Sequence, residues 1–165
     1  MRPSRFALLV AVVLNVAAFA YYWPTAPDPL VSKFDASGVP DGYSSKAAFF
    51  ALWAMLAALF PAIGVGFAMA KGSLKDENIS IPYKALWLAP EQREATIVAF
   101  SDMMLWLMSV ISYFMTLGMV ATLRANARAH VMLDLSPLVY VSVLIVGVCG
   151  VMLPYFVHWS SPPTR

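Results

Sequence analysis

Charge is what this chain has least of. Only 12% of its 165 residues are Asp, Glu, Lys or Arg, against about a quarter in an ordinary soluble domain. The shortage is uneven, because those residue types are missing altogether from Phe6 to Pro27, Ala47 to Ala70, Met103 to Leu123 and Leu135 to Thr164. Cysteine is nearly absent too. Cys149 stands alone in the last of these runs, which excludes an intramolecular disulfide, a thiolate zinc cluster and a CxxC pair, and it reads as a buried packing thiol. The net charge of +2 is scattered, and without a Lys/Arg block no nucleic-acid partner is expected. There is no Ser-His-Asp set, no HExxH, no phosphate loop and no pair of intramembrane carboxylates. Neither an enzyme nor a proton-coupled transporter has its parts, and no cofactor is expected.

What the chain does have is apolar length. It is 61% hydrophobic with mean hydropathy +0.72. Each uncharged run can supply the roughly 20 apolar residues of a spanning helix. Spans are therefore expected at Phe6–Trp23, Ala47–Ala70, Ile97–Leu123 and Leu138–Trp159. Barrel strands would be about half as long and alternate in polarity. In hydrocarbon the backbone must bond within itself, which leaves helix. The expected fold is an all-α integral membrane protein, one domain over residues 1–165, embedded in a lipid bilayer.

The first span has a rival reading as a cleaved signal peptide, since Arg2 and Arg5 precede the apolar core and Ala18-Phe19-Ala20 has a small-x-small form. Continuation through Tyr21, Tyr22 and Trp23 favours a retained span ending in an aromatic anchor. Both readings place the next loop on the same side. With the N-terminus inside, inner segments hold seven Lys and Arg (Arg2, Arg5, Lys71, Lys75, Lys84, Arg93, Arg165) and outer ones four (Lys33, Lys46, Arg124, Arg128). That bias predicts both termini inside.

The outer segment from Pro24 to Lys46 is the most polar and most tightly turned stretch. Pro24, Pro27 and Pro29 end the first helix and set an extended path. Asp35-Ala36-Ser37-Gly38 and Val39-Pro40-Asp41-Gly42 each have β-turn composition, and Ser44 or Ser45 can cap the second helix. Asp28, Asp35, Asp41 and Ser37 are oxygen donors, but their spacing is not that of a calcium loop, and turn chemistry accounts for each Asp. No metal is expected there. The surface offered would comprise Pro27, Asp28, Phe34, Asp35, Ser37, Gly38, Pro40, Asp41, Gly42, Tyr43 and Lys46.

On the other side, Ile79 to Leu88 is too apolar for a free loop and too interrupted by Pro82 and Pro90 for a span. It is expected to lie among lipid headgroups with Tyr83 and Trp87 as anchors and Lys84 toward anionic lipid. Pro90 to Glu94 reads as the first turn of the third helix. A docking surface for a partner is the alternative. This block contributes Pro82, Lys84, Trp87, Leu88, Pro90 and Glu91 as candidates.

Two polar residues stand inside or at the edge of spans. Asp102 reads either as a functional intramembrane acid or as an interfacial one neutralised by Lys71 or Lys75. Asn15 is expected to bond between helices. Met104, Met108, Met115 and Met119 share one stripe. A Cu(I) path is conceivable there, but with no Cys, His or acid at matching spacing the stripe reads as packing. Ala47, Ala51, Ala54, Ala58 and Ala62, with Gly147 and Gly150, are expected to let helices approach closely, and Pro61, Gly64 and Gly66 to loosen the second span. His130 and His158 read as loop and interfacial residues.

Two blocks also resemble a known family. "PDPLVSKFDASGVPDGYSSK", Pro27 to Lys46, is similar to the signature of a bacterial domain of unknown function at the start of SdpI-like membrane proteins. "ISIPYKALWLAPEQRE", Ile79 to Glu94, resembles that family's cytoplasmic block. With flanking spans the likeness covers about residues 6 to 123. It departs at Lys33, where the family usually has His, at Tyr83, where it has Asn, and in span number, since the immunity proteins of the family have more than four. The resemblance implies a bacterial inner-membrane protein, and immunity to a secreted peptide toxin as one form of its activity. The function expected is non-enzymatic, with the outer loop as a recognition or assembly surface. The alternatives are an accessory subunit of a larger membrane complex and, behind it, a small transporter or metal carrier.

Overall fold

A computed structural model describes residues 2–70, 72–128 and 130–163. Four long helices account for most of it: α1 (Pro3–Tyr22), α2 (Lys46–Ala70), α4 (Arg93–Asn126) and α5 (Pro137–Trp159). All four are long and apolar enough to cross a membrane. Between α1 and α2 stands a β-hairpin, β1 (Leu30–Phe34) with β2 (Pro40–Ser44), and a four-residue helix, α3 (Lys84–Trp87), precedes α4. The all-α expectation is corrected at the hairpin.

The helix bounds follow from local chemistry. Pro3 occupies the first turn of α1, where its missing N–H costs nothing. Ser45, not Ser44, caps α2 by accepting from the Ala48 N–H at 3.2 Å, and Ser136 caps α5 by accepting from Leu138 at 3.3 Å. α4 starts at Arg93, so Pro90 and Glu91 lie in a turn before it and not in its first turn as expected.

α4 is the axis. At 1.5 Å per residue it runs about 50 Å, well beyond a hydrocarbon core of about 30 Å. α1, α2 and α5 each pack against it, while α1 and α2 meet chiefly near the hairpin, where the Phe19 ring lies on those of Phe50 and Trp53. Near the hairpin the core is Leu30, Phe50, Trp53, Met119 and Leu123, with Phe19 packed in; midway it is Leu8, Leu105 and Met108. At the other end Ile79, Leu88 and Ile97 form one cluster, and Trp87, Met103 and Trp159 another. Gly147 brings α5 onto α4, since a Cβ there would stand 2.9 Å from Val110 Cγ1.

Several packing expectations are corrected. Ala47, Ala51, Ala54, Ala58 and Ala62 are all exposed on α2, because α4 takes a different face through Phe50, Trp53, Pro61 and Gly64. Gly150 faces open space. Cys149 is exposed on α5 and not buried.

Candidate functional site

The hairpin end gathers all eleven candidates of the outer segment. Of the two expected turns only the first exists. The Gly38 N–H donates to the Asp35 carbonyl at 3.0 Å, and Asp35 Oδ1 accepts from the backbone of Ser37 and Val39. Gly38 has φ +83°, a left-handed conformation that glycine adopts without steric cost. Val39 to Gly42, expected as a second turn, instead leads into and forms β2. Its irregular register pairs Val31 with Tyr43, Lys33 with Gly42 and Phe34 with Pro40. Composition misled here because the second strand uses turn-type residues around bulges.

Three contacts from distant sequence clamp this hairpin. Asn126, at the end of α4, accepts from the Val31 N–H at 2.8 Å and donates to the Val31 carbonyl at 2.9 Å, replacing the strand partner that β1 lacks on that edge. The Leu133 N–H donates to the Gly38 carbonyl at 3.1 Å, and the Ser136 hydroxyl donates to the Ala36 carbonyl at 2.8 Å. At the base, Asp28 Oδ1 accepts from the Lys46 N–H at 3.1 Å, and the Lys46 ammonium lies 5.4 Å from the Trp23 ring centroid. Leu30 is fully buried under the hairpin. Sequence reading missed Asn126, Leu133 and Ser136. No local pattern marks them, since each acts on a residue about a hundred positions away.

What faces outward is small and mixed. Tyr43 is 69% exposed and Val39 46%. Lys33 and Asp41 form an exposed ion pair across the strands, which raises the Lys33 pKa through the hydrogen bond and charge of Asp41. Between α4 and α5, Arg128 grips Asp134 through both terminal guanidinium nitrogens, the second at 3.0 Å. That hydrogen bond leads in holding the Asp134 carboxyl below its usual range and the Arg128 guanidinium above its own. Pro27, Phe34, Ser37 and Pro40 frame the surface.

The opposite end is built differently. Trp87, expected as a lipid anchor, packs against Met103 and Trp159 and donates its indole N–H to the Ser161 carbonyl at 3.1 Å. Leu88 is buried beside Ile79 and Ile97. Tyr83 is exposed at φ +50°, and Lys84 opens α3 next to it. Pro82 lies in the turn before Tyr83. Arg93 fastens the preceding segment, bonding Asp76 at 2.9 Å and the Leu74 carbonyl at 3.0 Å. His158 packs its ring 4.7 Å from that of Trp87, and His130 is exposed in the α4–α5 loop.

Asp102 is held by hydroxyl groups from two helices. Its carboxylate accepts from the Ser4 hydroxyl of α1 and, at 3.3 Å, from the Tyr155 hydroxyl of α5. Lys75 pairs with Glu77 instead, and Lys71 lies outside the described residues. Asn15 donates within α1 to the Ala11 carbonyl at 3.0 Å and reaches across to the Ser112 carbonyl of α4 at 3.5 Å. The methionine stripe is divided among clusters, Met108 with Leu8 and Leu105, Met119 with Phe50 and Trp53.

Comparison with known proteins bears on the hairpin. The sequence model described as Domain of unknown function (DUF1648) matches residues 10–64, most of α1, the whole hairpin and most of α2. No curated protein and no solved structure matches the chain. The first of the two family-like blocks thus falls inside a domain of unknown function, and the second lies beyond it.

Proposed function

We propose that this is a non-enzymatic multi-pass membrane protein that uses its clamped hairpin as a recognition or assembly surface. The observation that carries this reading is the Asn126 clamp. Free hairpins are marginal in water, and here bonds to its backbone from the side chains of Asn126 and Ser136 and the N–H of Leu133 hold one in place while Tyr43, Val39, Lys33 and Asp41 stay exposed. A rigid surface loses little entropy on contact, which favours binding. The Lys and Arg bias supports placing the hairpin outside and both termini inside. The bacterial inner membrane and an SdpI-like, immunity-type role that captures a secreted peptide are the finer form of the reading, supported by the two sequence blocks.

A second reading, an accessory subunit, is favoured by α5. No residue of its apolar window is buried, and the alanine face of α2 is likewise open. Transport has weaker support, because the methionines pack in clusters and Asp102 is bonded on both oxygens. Purification in mild detergent with mass analysis separates the first two. A partner retained by the wild type and lost on Tyr43→Ala with Lys33→Ala supports hairpin recognition. A partner indifferent to those changes supports docking through α2 and α5, and a clean monomer argues against both.

A further inference from the structure

Because α1 and α2 splay on either side of α4, a furrow opens sideways between them. Its hairpin-side half has a volume of about 360 Å³ between Val16 and Phe19 of α1 and Trp53 and Ala58 of α2. The other half, about 430 Å³, continues past Val12, which lines both, to Arg5, Val65 and Met69. Volumes of this size are those of small-molecule sites. The walls are apolar almost throughout, and charge enters only at the N-terminal end.

There Arg5 lines the furrow, and Arg2 and Arg5 both border a small void with Asp102. The Asp102 oxygens are taken by Ser4 and Tyr155, and among the described residues neither arginine has an ion-pair partner. A long apolar slot with Arg5 at one mouth, and Arg2 beside it across the small void that both share with Asp102, matches an amphiphile with an anionic head and a hydrocarbon tail. We propose that the furrow holds one acyl chain of an acidic phospholipid from the leaflet at the N-terminal end, its phosphate at Arg2 and Arg5. Arginine suits this head because its planar fork meets phosphate oxygens in pairs. The inference rests on membrane insertion but not on the hairpin's role.

The test uses the full chain in nanodiscs of phosphatidylglycerol and phosphatidylcholine, with retained lipid read by native mass spectrometry. The wild type is expected to keep one phosphatidylglycerol after bulk lipid is stripped. Neutralising each arginine, Arg2→Gln and Arg5→Gln, should cut the preference about fivefold. Ala58→Phe, placed on an exposed wall position, should fill the slot and lose the retained lipid of either head; Ala54→Phe carries the same test should the first variant fail to fold. Equal retention of the two lipids by the wild type overturns the proposal. So does retention by Ala58→Phe equal to the wild type, which would mean surrounding lipid only, or a second copy of the chain covering the furrow in place of lipid. Failure to enter nanodiscs at all would instead overturn the membrane reading.

Discussion

Asn126 holds the hairpin from outside it. Its amide supplies both a donor and an acceptor to Val31, and at about 1 kcal/mol per bond its loss should loosen β1 by about 2 kcal/mol, a roughly thirtyfold faster exchange of its protected amides. Hydrogen exchange on Asn126→Ala checks this, with Thr122→Ala, one turn earlier on α4, as the comparison expected to change little. Gly38→Ala acts on the same structure from the turn, where a Cβ at φ +83° is strained and would stand 3.4 Å from Leu133 Cβ; a cost of about 1 kcal/mol is expected. The Arg128 pair makes the contribution of Asp134 depend on pH. With its folded pKa held below the usual 3.8 by Arg128, its contribution is complete above that value and fades as pH falls through the native one. A carboxyl-carbon shift titration should find the midpoint low in the wild type and near the usual value in Arg128→Gln.

Among elements, α5 has the least hold on the bundle, since Trp159 is its one buried residue among those described. Its approach to α4 depends on Gly147. A methyl group there meets Val110, so Gly147→Ala should cost about 1–3 kcal/mol by overpacking while Gly150→Ala, in open space, changes little; thermal unfolding in detergent compares them. The four long helices were legible in the sequence because their cause is local: uncharged length, prolines and capping serines mark them residue by residue. The hairpin was legible only as a turn at Asp35 to Gly38. Its strands are five residues each, one carries Pro40 and Gly42, and the partners that fix it come from α4 and the α4–α5 loop. Likewise Trp87 looked like a headgroup anchor because aromatic, Pro-rich segments often are, and only tertiary packing against Met103 and Trp159 reveals it as core.

For the whole molecule, the arrangement separates a surface from its support. α4 carries the packing, and its length beyond a bilayer core is what brings Asn126 to the hairpin. The proposed orientation predicts that, in a Cys149→Ser background, an impermeant maleimide labels Ser37→Cys from outside intact cells and Ser73→Cys only after lysis. The central claim, that clamping makes the hairpin a contact surface, is tested most directly by a photo-crosslinking side chain in place of Tyr43 in native membranes, with and without Asn126→Ala. The account predicts a discrete protein or peptide adduct that weakens at least tenfold when the clamp is removed, and none from the same probe at Leu138 on the exposed face of α5. The same adducts from both positions, or an adduct at Tyr43 indifferent to Asn126, would contradict it.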